Sequence, residues 1–131
     1  MADLEIEVNH ADMDEELPEQ IVNTVRKMIS LLAEKRYSEI VTWTNGERYP
    51  EREIEAVIVD YDVTVVHPPD SFYPPQINAL RIDNTSPQEW SVVFPLWTAE
   101  EGESDLSVEL TCTEGEGVVC ADVDFDSLHV R

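Results

Sequence analysis

Basic residues are scarce in this chain. Eight lysines and arginines stand against 29 aspartates and glutamates, a formal net charge of -21 and a sequence pI near 4.1. That imbalance exceeds what solubility alone asks of a small domain. It repels phosphate backbones and anionic headgroups, which argues against direct nucleic-acid or membrane-surface binding and favours a basic protein partner. Apolar runs are short throughout, and Met1 to Glu19 is acidic where a secretory signal is basic and then apolar, so a cytoplasmic location is expected.

Cysteine, glycine and histidine are equally sparse. Cys112 and Cys120 are too few for a disulfide framework and have no second pair to complete a zinc site, so they read as reduced structural residues. Four glycines contain no phosphate-binding loop, and His10, His67 and His129 lack metal-ligand spacing. Asp122, Asp124 and Asp126 alternate like the first ligands of a calcium loop. Ser127 stands where that loop needs glycine, however, and the chain ends before its twelfth position. With no nucleophile motif either, no catalytic residue, cofactor or metal is expected, and the chain reads as a non-enzymatic protein.

What is present suffices for one core: 131 residues, 42% of them hydrophobic. The charge is unevenly placed. Residues 1 to 20 carry eight acids and no base, 21 to 81 nine acids and seven bases, and 82 to 131 twelve acids and one base. Residues 1–17 are therefore read as an acidic, partly mobile segment and 18–131 as a single α+β domain.

Pro18 suits a helix start, and Ile21, Val25, Met28, Ile29 and Leu32 form one apolar stripe at helical period. A short helix from Tyr37 to Trp43 and another after Pro50, with Ile54, Val57, Ile58 and Tyr61 on one side, are expected to follow. Pro68 to Pro75 holds four prolines and reads as a loop with two exposed aromatics, Phe72 and Tyr73. The period then changes to two, giving strands at Ile77 to Asp83, Trp90 to Trp97, Asp105 to Thr113 and Val118 to Val130. N-terminal helices packed on one face of a C-terminal antiparallel sheet of about four strands is the expected fold.

The last two strands concentrate the charge. With Glu114 to Gly117 as a four-residue hairpin loop, Leu106 meets Phe125, Val108 meets Val123, Leu110 meets Ala121 and Cys112 meets Val119. The other face then opposes Glu109 to Asp122, Asp105 to Asp126 and Ser107 to Asp124. Like charges so opposed cost roughly 0.2–1 kcal/mol per pair. Either a basic partner docks there, or the charged face simply resists aggregation. This register turns Cys112 inward and Cys120 outward, arguing against a disulfide between them.

The stretch from Leu96 to Leu110, with its LW..EEG.SDL pattern, and the final strand ending His129-Val130 resemble a family of small bacterial domains of unknown activity. That resemblance implies no catalytic residues. The arrangement of helices against a bent sheet is similar to cystatin and NTF2-like folds, and small acidic bacterial proteins of this build resemble immunity proteins, which cover the basic surface of a toxin domain, often a nuclease.

The function expected first is thus an acidic binding module that neutralises a basic toxin domain. Asp105, Glu109, Asp122, Asp124 and Asp126 would steer the partner, the Glu100, Glu101, Glu103 loop would join them, and Trp97 would anchor it. Two alternatives stand beside it: an NTF2-like pocket for a small ligand lined by His67, Tyr73 or Trp90, and a housekeeping protein whose acidity is an adaptation to salt. The sequence leaves the oligomeric state open.

Overall fold

A computed structural model of the chain describes residues 17–44, 49–73 and 75–130. The segment read as mobile falls, up to residue 16, outside the described residues. Among the described residues three helices come first, α1 (Glu19–Ala33), α2 (Tyr37–Trp43) and α3 (Glu51–Tyr61). A single 3-10 turn, Asp70–Phe72, leads to β1 (Asn78–Ile82), β2 (Glu89–Thr98), β3 (Gly102–Thr113) and β4 (Asp122–Val130). The strands form one antiparallel sheet in sequential order. The expected α+β fold is what the chain adopts.

Prolines set two of the helix starts. Pro18 and Pro50 take extended backbone immediately before α1 and α3, and the carbonyl of Pro18 accepts the Ile21 amide at 2.9 Å. At the other end of α1, Lys35 adopts a left-handed φ of 61°. The Lys35 amide reaches Leu32 at 3.1 Å and that of Arg36 reaches Leu31 at 2.9 Å. This is a Schellman closure made without the usual glycine.

The apolar stripe of α1 is wholly buried: Ile21, Val25, Met28 and Ile29 have no exposed surface. It lies in one core with Ile40 of α2, Ile54 and Ile58 of α3, and the inward row of each long strand. Those rows are Val92, Phe94 and Leu96 of β2, Leu106, Val108, Leu110 and Cys112 of β3, and Val123, Phe125 and Leu128 of β4. At roughly 25 cal/mol per Å² of apolar surface, this burial is the main driving force for closing helices onto sheet. Tyr49 secures α3's approach to β4, its ring 5.2 Å from Phe125 and its hydroxyl donating to the Leu128 carbonyl at 3.1 Å.

Three expectations need correction. The β3–β4 connection spans 114–121 rather than Glu114 to Gly117, and β4 starts at Asp122 rather than Val118. Consequently Leu110 pairs with Phe125, Cys112 with Val123 and Val108 with Leu128. The slip of four keeps the inward and outward rows intact, which is why alternation could not detect it. Beyond it, the register shifts by one between Glu109 and Leu110. Asp126 is the extra residue, and the bulge returns Leu128 to the core.

The loop is long because α1 holds it open. Gln20 Nε2 donates to the carbonyls of Gly115 and Gly117, both at 2.7 Å, and Gln20 Oε1 accepts the Gly115 amide at 3.0 Å. Asn23 Nδ2 donates to Val118 O at 2.9 Å, and the Cys120 amide donates to Thr24 Oγ1 at 2.9 Å. A Cβ on Gly115 would sit 2.5 Å from that of Ala121, so the close crossing of the loop on itself requires glycine there.

Second, Cys120 does not face solvent. It is buried in the loop. Third, only one of the two loop aromatics approaches the surface. Phe72 is buried, edge-on to Trp97 at 6.3 Å and to Tyr73 at 5.2 Å, while half-buried Tyr73 lies under the Arg26 guanidinium at 4.0 Å.

Candidate functional site

The helices cover one face of the sheet, and the other carries the row of outward side chains. Pairing places Asn78 beside Val93, Val93 beside Glu109 and Glu109 beside Ser127, so that row can be followed from edge to edge. It is apolar at one side, with Leu80, Val93 and Pro95, and acidic at the other, with Glu103, Asp105 and Glu109 on β3 and Asp122 and Asp124 on β4. Leu80 is 54% exposed.

The residues expected to bind a partner fall into separate groups. Glu100 and Glu101 build the β2–β3 turn. Glu100 Oε1 accepts the Thr64 amide at 2.8 Å and Oε2 the Thr64 hydroxyl at 3.0 Å. Those bonds, the amide first, hold its carboxyl below the usual range. Glu101 Oε1 accepts the Ser104 hydroxyl at 2.7 Å, and its amide donates to Thr98 Oγ1 at 3.0 Å.

Trp97 is half-buried, held between Phe72 and Gly102, whose positive φ of 75° lets the turn fold close to the indole. Opposite Trp97 in the ladder stands Glu103. A register irregularity follows, after which Ser107 pairs with Pro95. Glu103 and Asp105 border a concavity of about 430 Å³ walled by Pro75 and Ile77 and floored by Val93, Pro95 and Ser107. Acid and aliphatic surface meet in it.

Glu109 lies mid-strand, its Oε2 3.5 Å from His129 Nε2, while His129 Nδ1 is 2.5 Å from the Ser127 hydroxyl. Asp122 pairs with Thr113 and Asp124 with Thr111; the Thr111 hydroxyl donates to Asp126 Oδ2 at 2.6 Å. The opposed carboxylate pairs expected from the four-residue loop are therefore absent among the described residues: Ser127 faces Glu109, Thr113 faces Asp122 and Thr111 faces Asp124. Glu109 and Asp122 do share the outer face, four residues apart along β3, about 14 Å at strand rise. Asp105 and Asp126, expected to be neighbours, are separated by about 15 Å on the same measure.

The residues expected for a small-ligand pocket do not come together. Trp90 is buried in register with Cys112 and donates to Glu114 Oε2 at 2.6 Å. Tyr73 lies with Arg26, and His67 is exposed. Among the described residues no group of three or more His, Cys, Asp or Glu is placed to hold a metal ion, and no helix is long and apolar enough to cross a membrane.

Sequence reasoning missed the polar row Gln20, Asn23 and Thr24 that grips the hairpin loop. Its helical spacing is visible, but its partners lie about 95 residues away. The burial of Cys120 was also missed.

Residues 29–131 match the family model described as Domain of unknown function (DUF7668). The chain belongs to this family. The DUF7668 match begins within α1 and includes α2, α3 and all four strands, hence the whole outer face and both cysteines, while Gln20, Asn23 and Thr24 precede it. No curated protein and no solved structure matches the chain.

Proposed function

We propose that this DUF7668 protein is a non-enzymatic binding module whose outer sheet face docks onto a basic protein, in the manner of an immunity factor that neutralises a basic, nuclease-type toxin domain. The observation that carries the reading is the division of that face: aliphatic β1–β2 surface adjoins acidic β3–β4 surface, with the Glu103–Asp105 concavity between them. Lysine and arginine present the same combination in one side chain, an aliphatic stem with a cationic head. The net charge of -21 adds long-range steering.

Glu103 and Asp105 now bear the recognition expected earlier of the whole turn, because Glu100 and Glu101 are engaged in its construction. Glu109, Asp122, Asp124 and Asp126 extend the field away from the concavity, and Trp97 stiffens its border through Phe72.

The test is co-expression with, and binding to, any basic toxin domain that a neighbouring gene encodes. Protection of the cell is expected. The association rate should fall at least tenfold on going from about 0.05 to about 0.5 M salt, and similarly in the double variant Glu103→Lys, Asp105→Lys. A partner without excess positive charge, or binding indifferent to both changes, would overturn the assignment.

A further inference from the structure

The concavity bordered by Glu103 and Asp105 carries more than charge. The exposed side chains of these two acids flank buried Ser104 along β3. Asp105 falls in the irregularity of the β2–β3 register, opposite no residue of β2, and such a break re-aims a strand side chain. Unlike Glu100 and Glu101, neither carboxylate takes a hydrogen bond or ion pair among the described residues.

A second, independent polar group opens into the same hollow. Ser107 lines it and is 2% exposed. Its hydroxyl donates only a 3.5 Å contact to the Asp105 carbonyl, longer than an O–H···O bond ordinarily runs. Nothing among the described residues donates to the Ser107 oxygen. A buried hydroxyl so weakly engaged is an acceptor in want of a donor. Beside it, Val93 and Pro95 give the hollow an aliphatic floor.

From these features we infer that the concavity is an arginine site, selecting the guanidinium of one arginine side chain over the ammonium of lysine. The inference rests on the docking reading for the source of that arginine, an exposed residue of the basic partner. Residues two apart on a strand stand about 7 Å from one another, roughly the separation of two carboxylates that each grip one edge of a single guanidinium through paired hydrogen bonds. Four of the five guanidinium N–H groups are used in that way, and the fifth is left for Ser107 Oγ. The methylene stem lies over Val93 and Pro95, a surface that suits a weakly hydrated cation. An ammonium is a compact, strongly hydrated point charge and cannot engage both carboxylates in pairs. No third acidic or histidine ligand joins the two among the described residues, so the set is not one that holds a metal ion.

The experiment titrates the whole protein with N-acetyl-arginine amide and, separately, with N-acetyl-lysine amide, following backbone amide resonances at about 0.15 M salt, where exposed charges further apart than about 8 Å are largely screened. Expected is a saturable shift confined to the surroundings of Val93 and Ser107, with the lysine compound at least about fivefold weaker. Glu103→Gln combined with Asp105→Asn should weaken the arginine compound about tenfold or more. Glu55→Gln combined with Asp60→Asn removes the same charge from the exposed side of α3 and should leave its affinity within about twofold. Equal affinity for the two compounds, shifts that spread along β4, or equal loss in the two double variants would overturn the inference. Its fate is separable from that of the docking reading. A toxin domain that binds as tightly after exchange of its surface arginines for lysine would remove the arginine site and leave docking intact, whereas saturable, arginine-selective binding by a protein that docks no basic domain would sustain the site alone.

Discussion

Glu100 illustrates how one side chain changes meaning when its neighbours are known. In the sequence it is one of several acids in a turn; in the fold it is a bidentate acceptor that ties Thr64 to the β2–β3 connection. Because these bonds stabilise the carboxylate, its folded value lies below the ordinary 4.5. A depressed carboxylate contributes fully above its unfolded value and loses that contribution as the pH falls through the folded one. The Thr64 amide resonance and its protection from exchange should therefore titrate with a midpoint under 4.5, and a midpoint at or above it would show that the tether is not formed in solution.

At the scale of the element, the 114–121 loop is held by side chains from α1 as much as by its own backbone. Its internal closure is the Ala121 amide bonded to Thr113 O at 2.9 Å. Gln20 adds three bonds that bridge Gly115 and Gly117. Partly exposed hydrogen bonds of this kind contribute less than their number suggests, so Gln20→Ala should cost about 1–2 kcal/mol in denaturant unfolding. Amide exchange within 114–121 should accelerate far more than exchange at Phe94 or Val108. Uniform acceleration across the sheet would mean that the loop is not a separately opening unit.

At the scale of the molecule, self-repulsion is built into the folded state. Most of the acidic excess after residue 81 lies on β3, β4 and the connections at either end of β3, and folding sets the two strands side by side. Compaction raises the electrostatic free energy relative to the expanded chain, and salt screens it. The unfolding temperature should accordingly rise by several degrees between about 0.02 and about 0.5 M sodium chloride. A fall over that range would indicate that attractive pairs such as Arg36 with Glu34 and Glu39 outweigh the repulsion.

The helices were legible because an apolar stripe such as Ile21, Val25, Met28 and Ile29 has only one buried solution, and the strand faces because Leu106, Val108, Leu110 and Cys112 alternate strictly with polar residues. Both signals are local, repeating within a turn or two residues, so the residues themselves determine fold class, core and the sidedness of the acidic strands. The register of β4, the burial of Cys120, and the assignment of Glu100 and Glu101 to the turn's own hydrogen bonds were decided by tertiary structure. Each depends on a contact that local period does not encode: Gln20 and Thr24 reaching the loop, the Asp126 bulge, and Thr64 brought alongside the end of β2.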